Sequence, residues 1–259
     1  MSANPKLDLA PIRYSQIKLF ARSPFHAKFA IDQQAKGLDL YDDTPAKRLG
    51  RLAHSIALGT EIPAVFPGDR RGTKLWDAFV ADNPGREIVK QDEFDQAQAM
   101  ADSLTFHDEA LRLLQGEREK TIIAKIAGRL CRSTPDVHLT GEHLTELKTT
   151  TDASPDRFPW QALRLGYHGQ MAMQKDVVMA AGHPEPKRLA IVVVEIKPPF
   201  AVAVYQLTPA AEDFGRSFYR LHLERMLVSE ASDFWPGYPQ GVLDVPPERD
   251  EYIPDGESD

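Results

Sequence analysis

The sequence predicts an α/β fold with a helical front section, and three observations support this prediction. Apolar residues recur at helical spacing in most of the chain before Gly116. The pattern then changes to β-branched stretches bounded by glycines. Further on, the apolar run 189–196 is typical of a buried strand, and a long helical pattern precedes it. Because a chain of 259 residues can bury one large core, we expect a single domain over residues 1–234.

The front section, residues 12–115, is predicted to be mostly helical. Ser15 is a suitable N-cap for the first helix, and the Ser23-Pro24 pair separates that helix from the second. Thr44-Pro45 opens the third, because proline fits the first position of a helix. The predicted helices are 15–22, 25–36, one beginning at residue 45, 73–82 and 91–115.

The core region, residues 116–230, is predicted to begin with three antiparallel strands, and Thr140-Gly141 supplies the turn between the last two. A long amphipathic helix follows and ends at Gly182. The Pro198-Pro199 pair separates two further strands, and a helix ends the region. The predicted strands are 119–127, 129–139, 143–150, 189–196 and 201–207, and the predicted helices are 159–181 and 209–230.

Residues 235–259 are predicted to form a Pro-rich acidic tail. Prolines interrupt regular structure there, and residues 243–259 contain seven acidic residues against one arginine. Most of the formal net charge of -7 therefore lies in this tail, which leaves the body of the protein nearly balanced. The net charge is then only a mild argument against a DNA partner, since phosphate binding depends on local Lys and Arg residues. A role of the tail in repelling or gating DNA is the alternative to a solvated segment.

Composition limits the kinds of site that the chain can build. Cys131 is the single cysteine, which excludes an intrachain disulfide framework and Cys-based zinc or iron–sulfur sites. A metal would therefore be bound by oxygen and imidazole ligands. The segment 1–13 is polar and interrupted by proline, and no stretch approaches the roughly 18 apolar residues of a membrane span. We expect a cytoplasmic protein without membrane association.

Two carboxylates and a lysine are predicted to meet on the hairpin around Gly141. Glu146 and Lys148 are two residues apart in a strand, so their side chains leave the same face. Asp136 and Glu146 are each five residues from Gly141, which makes them cross-strand neighbours with Cβ atoms roughly 4.5–5.5 Å apart. Pro135 cannot donate to the ladder and favours a local bend at Asp136.

Two carboxylates at this distance repel each other unless a cation lies between them. Their oxygens, together with water and a phosphate group, are the ligands that Mg²⁺ prefers, and Mn²⁺ is the alternative ion. Lys148 could orient the attacking water or neutralise developing charge. The pattern indicates phosphodiester hydrolysis, and its alternative is a Glu-x-Lys pair on a solvated strand face.

Several sequence strings carry a family resemblance. They are T-P-D (134–136), T-E-L-K-T-T-T-D-A-S (145–154) and G-Y-H-G-Q (166–170), preceded in order by G-R-L-A-H (50–54), D-R-R-G-T-K (69–74) and G-E-R-E-K-T (116–121). Over roughly residues 12–230 the chain resembles the RecE-type exodeoxyribonuclease VIII family and, more loosely, the alkaline exonuclease of phage lambda. The resemblance implies the PD-(D/E)xK, restriction-endonuclease-like fold, in which helices flank a mixed sheet.

The resemblance also implies roles for single residues. Asp136 and Glu146 would bind the metal, and Lys148 would assist catalysis. A further acidic member of the site, which would also bind metal, would be Glu119, with Glu117 as the competing choice.

Helix-borne residues complete the implied site. His54 would join the metal shell, and the alternative is a packed structural histidine. Gln170 matches a glutamine that supports the site in this superfamily. RecB-like nucleases continue this pattern as Gln-xxx-Tyr, whereas residue 174 here is Gln, which favours the exonuclease VIII branch.

A basic stretch is the candidate DNA-binding element outside the metal site. Arg70, Arg71 and Lys74 could hold a strand backbone while the neighbouring Trp76 stacks on a base. Tyr167 is placed with them as a DNA-binding residue. The alternative for the basic stretch is a solvated loop beside a core tryptophan.

Together, the resemblance implies an exodeoxyribonuclease that digests linear double-stranded DNA from an end with 5′ to 3′ polarity. It also implies a ring-shaped homo-oligomer, hand-over to a single-strand annealing protein and a phage or prophage recombination context. Two alternatives stay open: a PD-(D/E)xK endonuclease or CRISPR-associated nuclease of RecB type, and a DNA-binding module without turnover. Digestion of linear and of circular duplex DNA distinguishes an exonuclease from the first alternative, because an exonuclease needs an end. The intact acidic pair and lysine argue against the second alternative.

Overall fold

The computed structural model describes residues 10–38, 44–68 and 70–243. The helices are α1 (Tyr14–Arg22), α2 (Pro24–Ala35), α3 (Pro45–Leu58), α4 (Lys74–Asp82), α5 (Gln91–Thr105), α6 (Asp108–Leu113), α7 (Phe158–Leu165), α8 (Tyr167–Ala180) and α9 (Pro209–Ser232). The strands are β1 (Ala64–Phe66), β2 (Ile88–Lys90), β3 (Glu117–Arg118), β4 (Ile122–Ile126), β5 (Arg129–Ser133), β6 (Val137–Leu139), β7 (His143–Thr150), β8 (Arg188–Glu195) and β9 (Val202–Gln206).

A five-stranded mixed sheet in the order β3-β6-β7-β8-β9 forms the centre of the fold. β7 and β8 run parallel in register from His143–Arg188 to Thr150–Glu195, and the other neighbouring pairs are antiparallel. A parallel pair requires a crossover connection, which α7 and α8 provide. Because parallel strands are usually covered on both faces, the near-continuous apolar run of β8 follows from its central position.

Helices cover both faces of this sheet. On one face, side chains of α1, α8 and α9 such as Ile17, Met171 and Leu223 pack with the strand residues Leu144 and Ile191. On the other, a second cluster joins α3, α5 and α6 to β6, β7 and β8. Members of that cluster are Leu52, Met100, Leu113, Val137, Leu147 and Val192. The predicted α/β architecture with a mixed sheet between helices is therefore confirmed.

Local sequence signals explain the helices of the front section. The Ser23 and Thr44 side chains accept hydrogen bonds from the first turns of α2 and α3, each of which begins with proline. The single helix predicted over 91–115 was wrong, since α5 ends at Thr105 and α6 begins at Asp108. His107 causes the break, because its Nδ1 accepts from the backbone of Ala110 and caps a new helix.

The predicted set of three adjacent antiparallel strands is also corrected. The segment 129–139 divides into β5 and β6, which belong to different sheets on either side of Pro135. Proline lacks an N–H for the ladder, so pairing stops there. β4 and β5 form a separate two-stranded sheet, and the short β3 is the partner of β6. The helix predicted over 159–181 likewise divides, at Gly166, whose φ is 78°.

Residues 235–238 lie against the first two helices. The Trp235 ring meets Phe20 edge to face at 6.3 Å between centroids, and the Pro236 carbonyl accepts a 3.1 Å hydrogen bond from Phe25. The Tyr238 hydroxyl is 2.8 Å from Arg22 Nε. The predicted acidic tail over 235–259 falls mostly on residues 244–259, which lie outside the described residues. Within the described ranges no helix has both the length and the apolar character needed to span a bilayer.

Candidate active site

The hairpin of β6 and β7 brings Asp136 and Glu146 together. β6 pairs with β7 in the register Val137–Thr145, and this register, continued by one residue, sets Asp136 opposite Glu146. The backbone N–H of Leu147 donates to Asp136 Oδ2 at 2.7 Å. Glu146 is only 2% exposed, so a carboxylate lies deep inside the fold next to a second one.

The two carboxylates differ in their electrostatic surroundings. Burial raises the pKa of Glu146, the negative charge of Asp136 adds to this, and Lys148 opposes it. Burial also acts to raise the pKa of Asp136, but the Lys148 charge and a hydrogen bond from His54 hold that pKa below its usual value. Asp136 is therefore ionised at neutral pH, while Glu146 has the greater need of a nearby cation.

Lys148 stands between Glu146 and an aromatic ring. Its Nζ is 2.6 Å from Glu146 Oε2 and 5.2 Å from the centre of the Tyr167 ring, at the start of α8. Burial favours the neutral amine, but the charges of Glu146 and Asp136 outweigh it and raise the Lys148 pKa. Lys148 is thus an ammonium that donates hydrogen bonds.

His54, on α3, connects two acidic side chains across the site. Its Nε2 is 2.9 Å from Asp136 Oδ2 and its Nδ1 is 3.3 Å from Glu119 Oε1. Burial lowers the His54 pKa, but the bond to Asp136 and the two negative charges raise it above the ordinary value. Glu119 has a φ of 49°, a left-handed conformation that is costly for a residue with a Cβ and is found at functional sites.

The structure separates the two glutamates that competed for this position. Glu119 lies beside His54, and its backbone N–H donates to the Asp136 carbonyl. Glu117 instead forms an exposed ion pair of 2.8 Å with Lys120 and lies opposite His138 in the sheet.

Two amides of α8 bind Glu146. Gln170 Nε2 is 2.6 Å from Glu146 Oε2, and Gln174 Nε2 is 2.6 Å from Glu146 Oε1. The sequence interpretation included Gln170 but treated Gln174 only as a departure from a pattern. The signal that could have found Gln174 is its position four residues after Gln170, which places both side chains on one face of the helix.

An open cavity of about 850 Å³ gives access to the site. His54, Glu119, Lys148 and Tyr167 line it, and Lys47 and Arg51 of α3 contribute positive charge. Tyr167 also lines a second cavity of about 530 Å³, together with cationic and amide side chains of which the sequence interpretation had included Gln170 as a site residue. These side chains are Arg13, Lys18, Arg132, Gln170 and Gln174.

The basic stretch 70–74 lies outside these two cavities. Arg71 pairs with Glu93 at 2.5 Å and lies 5.3 Å from the Trp76 ring, which itself packs against Phe66. Neither Arg70 nor Lys74 lines either cavity, and both are exposed. Asp69, which precedes this stretch, is outside the described residues.

Comparison with known proteins places this geometry in a family. A family described as a PDDEXK-like domain of unknown function (DUF3799) matches residues 14–242. The chain belongs to this PDDEXK-like family. This family description does not single out the exodeoxyribonuclease VIII branch, and no curated protein matches the chain.

One solved structure agrees with this PDDEXK-like chain in fold, and two others align to it only weakly. A candidate exonuclease from Eubacterium rectale has a TM-score of 0.67 at 15% identity, covering 95% of this chain and 96% of the other. Two structures of the alkaline exonuclease of Laribacter hongkongensis, one with dAMP, cover 70% of this chain and 92% of theirs, at 15% and 11% identity. Their TM-scores of 0.28 and 0.30 are too low to support an argument.

PDDEXK-like nucleases generally use divalent metal ions, and the side chains here fit such an ion by type. Asp136 and Glu146 offer the hard oxygens that Mg²⁺ and Mn²⁺ prefer, and His54 offers an imidazole. A carboxylate accepts about four hydrogen bonds, and Glu146 receives one each from Lys148, Gln170 and Gln174, so acceptor capacity remains. In the described part of the chain, no three His, Cys, Asp or Glu side chains already form a metal cluster.

Proposed function

We propose that this PDDEXK-like protein is a metal-dependent exodeoxyribonuclease that hydrolyses phosphodiester bonds of linear double-stranded DNA. The observation that carries the proposal is the pairing of Asp136 with Glu146 next to the charged Lys148, which itself lines an open cavity. Membership of a PDDEXK-like family supports the same chemistry.

The proposed mechanism assigns a task to each side chain. A divalent ion bound by Asp136 and Glu146 would supply charge neutralisation at the phosphate and a water of lowered pKa. Lys148, held as an ammonium, donates to the attacking water or to a phosphate oxygen, and so stabilises negative charge as it develops.

Neighbouring side chains keep the two carboxylates in place. His54 holds Asp136 and connects it to Glu119. Gln170 fixes Glu146 from the α8 side. In our proposal Glu119 and His54 complete the metal shell, since both line the cavity beside Lys148 and His54 contacts Asp136.

DNA contacts are proposed at two distances from the reacting phosphate. Tyr167 would contact the nucleotides next to it, and its position in the lining of both cavities supports this role. Arg70, Arg71 and Lys74 lie outside the cavities and would bind backbone phosphates further along the duplex.

The finer parts of the proposal come from the resemblance to exodeoxyribonuclease VIII. They are 5′ to 3′ polarity, Mg²⁺ as the working ion with Mn²⁺ as a substitute, a ring-shaped homo-oligomer on DNA ends, a single-strand annealing partner, a role in recombination and a cytoplasmic location.

A comparison of substrate shapes tests the proposed activity. The protein is incubated with Mg²⁺ and either linear or closed circular duplex of one sequence, and released nucleotides are measured. We expect release from the linear form alone, with a fall of at least about 100-fold in Asp136→Ala. Glu117→Ala is the matched control and should retain the wild-type rate, because Glu117 pairs with Lys120 away from the cavity.

Three other results would contradict parts of the proposal. Equal release by wild type and Asp136→Ala would remove the site assignment. Cutting of closed circles would favour the endonuclease alternative. Binding of DNA without release under Mg²⁺ or Mn²⁺ would favour a module without turnover.

A further inference from the structure

Gln174 is a buried residue of α8 with an unusual set of partners. It is 5% exposed, and its Nε2 donates to Glu146 Oε1 at 2.6 Å. Its own carbonyl oxygen, Oε1, is buried and has no hydrogen-bond partner among the described residues. Buried amides are normally satisfied at both ends, so an unpaired end needs an explanation.

The carboxylate of Glu146 explains the orientation of the Gln174 amide. If the amide were turned over, its carbonyl oxygen would face a carboxylate oxygen, and two acceptors would repel each other. The N–H end must therefore face Glu146, although the oxygen end then lacks a partner. The amide orientation therefore satisfies Glu146 and leaves the Gln174 carbonyl oxygen without a hydrogen bond.

Among the described side chains, Gln174 is the donor to the Oε1 side of this carboxylate. Lys148 and Gln170 both donate to Oε2, whereas the side-chain bond to Oε1 comes from Gln174. A carboxylate held at one oxygen can still rotate, while bonds at both oxygens fix its plane. The supporting element is rigid, because the neighbouring α8 residues Met171, Met173 and Val178 are buried in the core.

We propose that Gln174 is a positioning residue that fixes the plane of Glu146 and thereby strengthens divalent-cation binding at the site. This inference rests on the proposed metal-dependent function. It gives a role to the position at which the chain departs from the Gln-xxx-Tyr pattern. Partners that orient a metal ligand commonly change metal affinity by about 10- to 100-fold when they are removed.

Metal binding without DNA tests the role directly. Metal-free wild type and Gln174→Met are titrated with Mn²⁺ in a calorimeter, since methionine keeps the length of glutamine and removes the donor. We expect the Mn²⁺ dissociation constant of Gln174→Met to rise by about 10- to 100-fold. Gln96→Met is the matched control, because it also loses a long-range amide bond, 2.8 Å to the Ile196 carbonyl, and should bind Mn²⁺ like wild type.

A kinetic measurement separates positioning from general damage. In Gln174→Met the Mg²⁺ concentration for half-maximal nucleotide release should rise, while the rate at saturating Mg²⁺ recovers to within a few-fold of wild type. If Gln174→Met does not fold, Gln174→Leu removes the same donor with a smaller side chain and is expected to give the same shifts.

The outcomes distinguish this inference from the proposed function. Equal Mn²⁺ affinity in wild type and Gln174→Met, or a rate that stays low at saturating Mg²⁺, would overturn the role of Gln174 and leave the nuclease proposal standing. Absence of Mn²⁺ binding by wild type would overturn both.

Discussion

Lys148 is the residue whose charge the candidate site depends on most directly. It is the cation next to Glu146, which is otherwise a buried carboxylate facing a second one. Removing one partner of a buried pair leaves an uncompensated charge, which costs much more than losing an exposed ion pair. The Lys148 side chain therefore combines a structural requirement with the catalytic role that we propose for it.

We predict that Lys148→Met reduces single-turnover nucleotide release at saturating Mg²⁺ by about 100- to 1000-fold. Lys148→Arg should not restore the rate, because a planar guanidinium cannot replace a compact ammonium between Glu146 and the Tyr167 ring. Lys120→Met is the control, since Lys120 forms an exposed pair with Glu117, and its rate should match wild type. Release by Lys148→Met within a few-fold of wild type would remove Lys148 from the mechanism.

At the scale of elements, the position of α8 depends on its contact with α9. Gly215 of α9 lies so close to α8 that an added Cβ would be 2.4 Å from the His168 carbonyl oxygen. Asp176 of α8 accepts hydrogen bonds from three α9 side chains, those of Arg216, Tyr219 and Arg220. Since α8 also carries the two amides that bind Glu146, the contact between α8 and α9 helps to hold these amides in position.

The pKa of Asp176 predicts how the contribution of this residue to protein stability depends on pH. Burial raises the Asp176 pKa, but the bonds from Tyr219, Arg220 and Arg216 hold it below its usual value. A carboxyl with a lowered folded pKa stabilises the protein above its unfolded pKa of about 3.9, and this contribution is lost as the pH falls through the folded value. Asp176→Asn should therefore lower the free energy of unfolding by about 2 kcal/mol at pH 7.

Urea unfolding from pH 8 to pH 3 checks this prediction. The difference in the free energy of unfolding between wild type and Asp176→Asn should stay constant down to about pH 5. It should become smaller only below about pH 4. Asp213→Asn is the control, because Asp213 is 76% exposed and pairs with the same Arg216. Its effect should stay within about 0.5 kcal/mol. A difference for Asp176→Asn that closes between pH 7 and pH 5 would contradict the assignment.

The elements also show what the sequence could predict. β7 occurs over 143–150 as predicted, and the pairing of Asp136 with Glu146 followed from counting residues around Gly141. Both are local, because a hairpin register depends on its own turn. The separation of β4 and β5 into another sheet was missed, since the period of a strand does not specify its partner.

Contacts between distant elements were the other part that the sequence could not supply. His54 and Glu119 are 65 positions apart, and their meeting depends on how α3 packs on the sheet. The hydrogen bond from Gln174 to Glu146 likewise joins α8 to β7, and α7 lies between these two elements in the sequence. In both cases the sequence shows the residue types, but it does not show which of these side chains are in contact in the folded protein.

For the whole molecule, the fold and the metal chemistry can be separated. Two hydrophobic clusters, one on each face of the sheet, form the core without any metal ligand. The acidic pair is not part of these clusters, and burial together with the charge of Asp136 raises the pKa of Glu146. We therefore expect a chelator to abolish activity and leave the protein folded.

Added metal should then stabilise the protein by binding the folded state. An ion at about 100 times its dissociation constant contributes about 2.7 kcal/mol, which raises Tm by about 5–10 °C for a domain of this size. We predict such a rise when Mn²⁺ is added to the chelated wild-type protein, followed by circular dichroism. In Asp136→Asn one of the two carboxylates is neutral, so Tm should not respond to Mn²⁺. Equal rises in both proteins would place the bound ion elsewhere, because a site made by Asp136 and Glu146 cannot keep its affinity when one of its carboxylates is neutral.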